Sequence, residues 1–244
     1  MKLESVRIPA EGGTLAGLHY VPEGRIRPTA LLYTHGFTSG KYSLDSLAGY
    51  LAARGYPGVT FDLSGHKLGG TGGEMRHTLQ AAENLRDALH WLRGNLAVEQ
   101  VVLVGHSMGA AAGLQVAAWE RQRPGSPPLV GMIGLCMGLE PAAGFESQIG
   151  RAMLAQRRDY VAGAPALELL TGLNSLVQTA AEIGDLPALF IAARQDVLVP
   201  VAQVEALAAL AGANASVVAL DAAHLDAPDR SRAIIIQWLE ARGL

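Results

Sequence analysis

The pentapeptide Gly105-His106-Ser107-Met108-Gly109 holds the residues best placed for covalent chemistry. It fits the pattern Gly-x-Ser-x-Gly, in which a tight strand-to-helix turn lifts a serine hydroxyl above the carboxyl end of a sheet. A serine hydroxyl is a weak nucleophile at neutral pH and needs a histidine nitrogen within about 2.6–3.2 Å to take its proton. A carboxylate on the other ring nitrogen would hold the tautomer and stabilise the imidazolium that forms. Because the chain has 29 glycines, a chance match to the pentapeptide is common, and the flanking residues must decide. They are Val101-Val102-Leu103-Val104 before it and Ala110-Ala111-Ala112-Gly113-Leu114 after it, a β-branched strand and an Ala-rich helix. These are the two elements that such a turn requires.

Other chemistries find less support. His19, His66, His77, His90 and the carboxylates show no metal-ligand spacing, so no metal is expected. The glycines of residues 65–73 match neither a P-loop nor a Gly-x-Gly-x-x-Gly turn opening a βαβ unit, so no cofactor is expected either. Cys136, the single cysteine, has no disulfide partner and lies in an apolar run as a small core residue. Arg151, Arg157 and Arg158 could orient an acidic substrate, although a solvated helix face is the simpler reading.

The elements that must carry these residues alternate along the chain. Residues 6–8 and 15–21 flank Glu11-Gly12-Gly13-Thr14 and read as an antiparallel hairpin. Strands are expected over 29–34, 58–62, 101–104, 129–136, 188–193 and 216–220, and helices over 44–54, 75–93, 108–120, 201–211 and 230–242. In residues 75–93, Leu79, Ala82, Leu85, Ala88, Leu89 and Leu92 recur at spacings of three and four, an apolar stripe suited to lie on a sheet. Strand-helix alternation implies an α/β fold with a mostly parallel sheet and helices on both faces. The rhythm breaks after Pro141, where helices over 145–160 and 166–181 follow each other with no strand between them. We read residues 142–184 as a small helical cap inserted in a core made of residues 1–141 and 185–244. Its apolar residues, Met153, Leu154 and Leu173 among them, exceed what a solvated excursion needs.

With these residues and elements in place, the sequence resembles the α/β-hydrolases over essentially its whole length, and the resemblance implies the α/β-hydrolase fold. The family order is nucleophile, acid, histidine. Ser107 is followed by Asp196 in Arg194-Gln195-Asp196-Val197-Leu198-Val199-Pro200 and by His224 in Asp221-Ala222-Ala223-His224. Each falls just past a strand, and parallel strands bring their carboxyl ends to one sheet edge. Glu140, also past a strand end, stays open as a competing acid, whereas the loop of Asp226 would have to fold back. His35-Gly36-Phe37 resembles the family's oxyanion loop, so the backbone N–H groups of Phe37 and Met108 are expected to face the developing oxyanion. His35 would hold that loop, and His106 would fill the elbow and border the pocket. Asp62-Leu63-Ser64-Gly65-His66 resembles a second landmark, but it continues Lys67-Leu68-Gly69-Gly70-Thr71-Gly72-Gly73 where the family has a further Gly and Ser.

The resemblance runs nearest to small carboxylesterases, feruloyl esterases and monoacylglycerol-lipase-like hydrolases. It implies a serine carboxylic-ester hydrolase for short- to medium-chain or aryl esters, working through an acyl-enzyme, with Leu154, Leu173 and His106 against the substrate. A thioesterase, serine aminopeptidase or acyltransferase would use the same triad, because all their leaving groups depart from one kind of oxyanion. A non-catalytic ligand-binding module on a hydrolase scaffold is the alternative of another class. The bulk properties agree with a small neutral partner: 50% hydrophobic and 17% charged residues with net charge -3 allow a full core and form no basic footprint for nucleic acid. No apolar run reaches the roughly 20 residues of a bilayer span, and the N-terminus meets charge and Pro9 before an apolar run forms. A cytoplasmic location without membrane insertion is therefore expected, and the residues set no oligomeric state.

Overall fold

The strand segments lack polar alternation because both faces of the sheet are covered. In β7 (Ala188–Ala193), Ala188, Phe190 and Ala192 enter one hydrophobic cluster while Leu189, Ile191 and Ala193 enter the other. The same division holds in β3 (Thr29–Thr34) and β5 (Gln100–His106), where Leu32 and Leu103 face one side and Leu31 and Val104 the other. Burying each such Val, Leu or Ile contributes about 1.5–3 kcal/mol.

The computed structural model describes residues 1–244. Its eight strands lie in the order β1-β2-β4-β3-β5-β6-β7-β8. β1 (Lys2–Ala10) and β2 (Gly13–Val21) form an antiparallel hairpin, and β2 runs antiparallel to β4 (Gly58–Phe61). The remaining neighbours, including β6 (Leu129–Leu135) and β8 (Ala215–Leu220), pair in parallel. One face is covered by α1 (Asp45–Ala52) and, from the chain's end, α9 (Arg232–Glu240), which follows the short α8 (Ala227–Arg230). The other face carries α2 (Leu79–Asn95), α3 (Met108–Gln122) and α7 (Val201–Ala211). No helix is long and apolar enough to cross a membrane.

Helix α2 starts at Leu79 rather than Met75, and the cause is tertiary. The Met75 N–H donates to Ala162 O at 2.8 Å, and Met75 O accepts from the Ala164 N–H at 2.9 Å. Residues 65–75 are thus a backbone dock for the segment after the inserted helices. At Gly163, with φ +121°, a Cβ would lie 2.2 Å from Met75 O, so only glycine permits the approach. The Gly-rich loop serves packing between chain segments.

The helices between β6 and β7 divide into two groups with different partners. α4 (Ala143–Glu146) and α5 (Gln148–Arg157) overhang the carboxyl edge of the sheet, separated by Ser147, whose hydroxyl caps α5 by accepting the Gly150 N–H at 2.9 Å. α6 (Ala166–Gln178) instead lies against α3, with Leu169, Leu170, Leu173, Leu176 and Val177 inside the main core cluster. The apolar stripe of α6 is used up by that contact.

One ion pair anchors the opposite end of the sheet. Arg93 grips Glu120 with two hydrogen bonds, 3.0 Å to Oε1 and 2.5 Å to Oε2, and also donates to Pro127 O at 2.8 Å. The pair ties α2 to α3 and to the approach to β6. Its side chains are only 6% and 10% exposed, so removing one partner leaves an uncompensated charge. Glu120→Ala should lower unfolding free energy by about 3 kcal/mol in urea titration. An unchanged midpoint would show that the guanidinium finds water or another acceptor.

Candidate active site

Ser107 occupies the turn between β5 and α3 with φ 51° and ψ −121°, a conformation uncommon for a residue with a side chain. Its N–H donates to Leu135 O at 2.8 Å, and its carbonyl accepts from the Ala110 N–H at 2.8 Å. The turn also presses on its neighbour strand: a Cβ on Gly109 would lie 2.1 Å from Thr34 O. Backbone packing on both sides thus over-determines the strained residue.

Asp196 follows β7, and its carboxylate is held from two directions. Oδ1 accepts the N–H groups of Leu198 at 2.8 Å and Val199 at 3.0 Å, and Oδ2 accepts His224 Nδ1–H at 2.6 Å. Burial works to raise the Asp196 pKa, but the bond and charge of His224 and the two N–H donors outweigh it and hold the carboxyl below its ordinary value. Nε2 of His224 is left on the opposite edge of the ring. Glu140 is exposed and engages Gln203 instead: its N–H donates to Gln203 Oε1 at 3.0 Å, and its Oε2 accepts from Gln203 Nε2 at 3.4 Å. Asp226 is exposed at the start of α8. Of the three candidate acids, Asp196 is the one that meets His224.

His106 acts as a strut. Its Nε2–H donates to the backbone carbonyl of His224 at 3.0 Å, and the two rings lie 4.9 Å apart. A carbonyl only accepts, so the His106 proton sits on Nε2. Burial and then the charge of His224 push its pKa down to about 3. His106 is therefore neutral and joins the end of β5 to the loop after β8.

The loop after β3 rests on a second neutral histidine. His35 Nε2 accepts the Leu63 N–H at 3.0 Å and its Nδ1–H donates to Gly36 O at 2.8 Å, while burial lowers its pKa to about 4. His66 stacks edge-on against both His35 and Phe37, and burial pushes its pKa to about 3. Asp62, fully buried, accepts the Lys41 N–H at 2.7 Å, Lys41 Nζ at 2.6 Å and the Gly70 N–H at 2.7 Å. That cluster fastens the loop after β3, the end of β4 and the Gly-rich loop together. The Phe37 N–H has no acceptor in the protein. The Met108 N–H opens α3, where first-turn N–H groups lack intrahelical partners and the helix dipole is positive.

Cys136 is a site residue that its apolar run concealed. It follows β6, between the strands that carry Ser107 and Asp196, and takes φ 54°. Its Sγ lies with ring nitrogens of His106 and His224 in a group spanning at most 4.8 Å. A metal there would need the thiolate. Burial and the Asp196 charge push the thiol pKa the other way, well up, so the group suits a packed, hydrogen-bonded floor. The sequence reads Cys136 as the last residue of a strand over 129–136, whereas β6 ends at Leu135 and leaves Cys136 at the sheet edge.

Ser107 and His224 open into one cavity of about 310 Å³. Phe37, Leu68, Phe145, Met153, Leu154, Leu198, Leu225 and Pro228 line it, with Thr38, Ser39, Ser43, His106 and Arg157. Leu154 borders the cavity. Leu173 does not: it is 2% exposed in the α6–α3 contact. Its assignment to the substrate is corrected because the stripe it belongs to packs on the core.

The chain matches the alpha/beta hydrolase family over residues 31–234 and belongs to that family. Several solved structures share its fold at low identity. An esterase of Pyrococcus furiosus superposes with a TM-score of 0.76 at 18% identity, covering 98% of this chain and 91% of that one. The esterase domain of a Rhodothermus marinus protein gives 0.70 at 21%, covering 99% of each. Est1E of Butyrivibrio proteoclasticus, solved with ferulic acid bound, gives 0.74 at 16%, covering 96% of this chain and 99% of that one. No curated protein matches the sequence.

His35, His66 and His106 set the acid limit of this edge. Their folded pKa values, about 4, 3 and 3, lie below the ordinary 6.5, so between these values the unfolded chain binds more protons than the folded one. Stability should be full above pH 6.5 and fall progressively as pH drops toward 4, beginning above the range in which carboxylates titrate. Urea midpoints measured from pH 7.5 to 4.5 check this, and His66→Phe should flatten the fall. A flat profile down to pH 4.5 in the unmodified protein would contradict it.

Proposed function

We propose that Ser107, His224 and Asp196 form a catalytic triad that hydrolyses short- to medium-chain or aryl carboxylic esters through an acyl-enzyme. The observation that carries this reading is the 2.6 Å bond between His224 Nδ1 and Asp196 Oδ2 at the mouth of the cavity that Ser107 lines. With Nδ1–H committed to the carboxylate, Nε2 is the basic nitrogen and can take the Ser107 proton as Oγ attacks the ester carbon. The carbonyl oxygen becomes an oxyanion facing the N–H groups of Phe37 and Met108; each such donor is worth about 3 kcal/mol in the transition state. Collapse breaks the bond to the leaving alcohol, which receives the proton from His224. Water then attacks the acyl-enzyme by the same route, releasing the acid and restoring Ser107.

The substrate class rests on the cavity wall. Phe145, Met153 and Leu154 reach it from the overhanging helices, and apolar walls suit an acyl chain or an aromatic ring. In this reading residues 142–184 are the cap, with α4 and α5 covering the substrate and α6 fastening them to the core. The ferulic acid held by Est1E supports the aryl option.

Incubation with 4-nitrophenyl butyrate and a serine-directed phosphonate tests the proposal. Hydrolysis and a label on Ser107 are expected, and the absence of both would refute it. Asp196→Asn should lower kcat by about 10⁴-fold through the wrong His tautomer, while Glu140→Gln should leave it unchanged. The reverse pattern would move the acid to Glu140. A matched thioester in the panel separates ester from thioester preference.

A further inference from the structure

Arg157 stands alone in the cavity wall. Apart from the histidines, every other lining residue is apolar, a glycine or a hydroxyl, and no Asp or Glu is among them. The Arg157 guanidinium has no ion pair and no hydrogen bond within the protein, whereas the adjacent Arg158, which is exposed, lies beside Asp159 at 3.8 Å. Half-buried against Met153 and Leu154, it is a cation partly withdrawn from water with no protein counter-charge. Such a group is costly unless an anion completes it.

The chain also fixes where Arg157 stands. It ends α5, and the residues that follow are sewn to the Gly-rich loop by the Lys67 N–H to Tyr160 O at 2.9 Å and the Ala162 N–H to Gly65 O at 2.8 Å. The Met75 N–H to Ala162 O bond, at 2.8 Å, completes the seam. The backbone that carries Arg157 is therefore anchored close to the cavity its side chain lines. Its planar fork matches a carboxylate with two parallel hydrogen bonds.

We propose that Arg157 is a specificity-determining residue that makes this pocket select esters bearing a free carboxylate, such as monoesters of small dicarboxylic acids. The inference rests on the esterase reading for its chemistry, with Arg157 binding the remote carboxylate while Ser107 attacks the ester carbon. The apolar wall takes the methylenes between them.

The test compares 4-nitrophenyl hemiglutarate with 4-nitrophenyl valerate, which differ chiefly in the terminal carboxylate. Arg157→Gln should lower the ratio of kcat/KM for hemiglutarate over valerate by about 10- to 100-fold, carried mainly by KM, the span of one charged hydrogen-bonded contact. Arg157→Lys should recover part of that ratio. A ratio unchanged in Arg157→Gln overturns the proposal. A second arm uses Ser107→Ala protein and calorimetry with the two corresponding 4-nitroanilides. Tighter binding of the glutaryl compound, lost on adding Arg157→Gln, is expected, and equal binding of both compounds overturns the assignment. Failure of the wild-type protein to hydrolyse even the valerate would count against the esterase reading alone, since the binding arm still decides the role of Arg157.

Discussion

Ser107 lies past β5, Asp196 past β7 and His224 past β8, so the site exists only because two loops return across the end of β6. The 2.6 Å contact between His224 and Asp196 closes the far side of that return. The His106 bond to the His224 carbonyl closes the near side. Between them, Cys136 follows β6 with a small buried side chain and leaves room for both rings. A bulky residue at that strand end would hold the two loops apart, and the remaining geometry of the edge depends on their approach.

The scaffold around this contact is polar yet almost uncharged. His35, His66 and His106 are at most 4% exposed, and burial keeps all three neutral. Neutral imidazoles can brace loops through one donor and one acceptor without bringing a charge close to the cavity. The full charges beside the loop after β3, Lys41 and Asp62, are paired with each other. They fasten loop backbone, which is a structural use of an ion pair with every carboxylate bond directed to a neighbouring segment. His66 Nε2 is buried without a partner, as is the nearby Thr34 Oγ1, a local cost set against the edge-on contacts the His66 ring makes with His35 and Phe37.

The segment between β6 and β7 shows how one stretch of sequence can serve two layers. α6 completes the covering of α3 and fixes its base, while α5 projects over the sheet edge, and the seam to residues 65–75 holds the join. Glycine at positions 65 and 163 lets two backbones touch there.

Much of this was legible in the sequence because its causes are local. β3, β7 and α7 have the bounds that the apolar runs implied, since a strand buried on both faces must be continuously apolar and an amphipathic helix must repeat at three and four. The elbow was legible because its glycines and flanking elements are contiguous. The start of α2, the place of Leu173 and the proximity of Cys136 to both histidines were not, because each is decided by a partner distant in sequence: Ala162 for Met75, α3 for Leu173, the returning loops for Cys136. Residue types by themselves determined the layered α/β architecture and the residues able to do acyl chemistry. Only the tertiary structure decided that Asp196 rather than Glu140 meets His224, and that one arginine of three borders the cavity. Hydrogen-bond geometry and burial are properties of the assembled edge, which no single segment encodes.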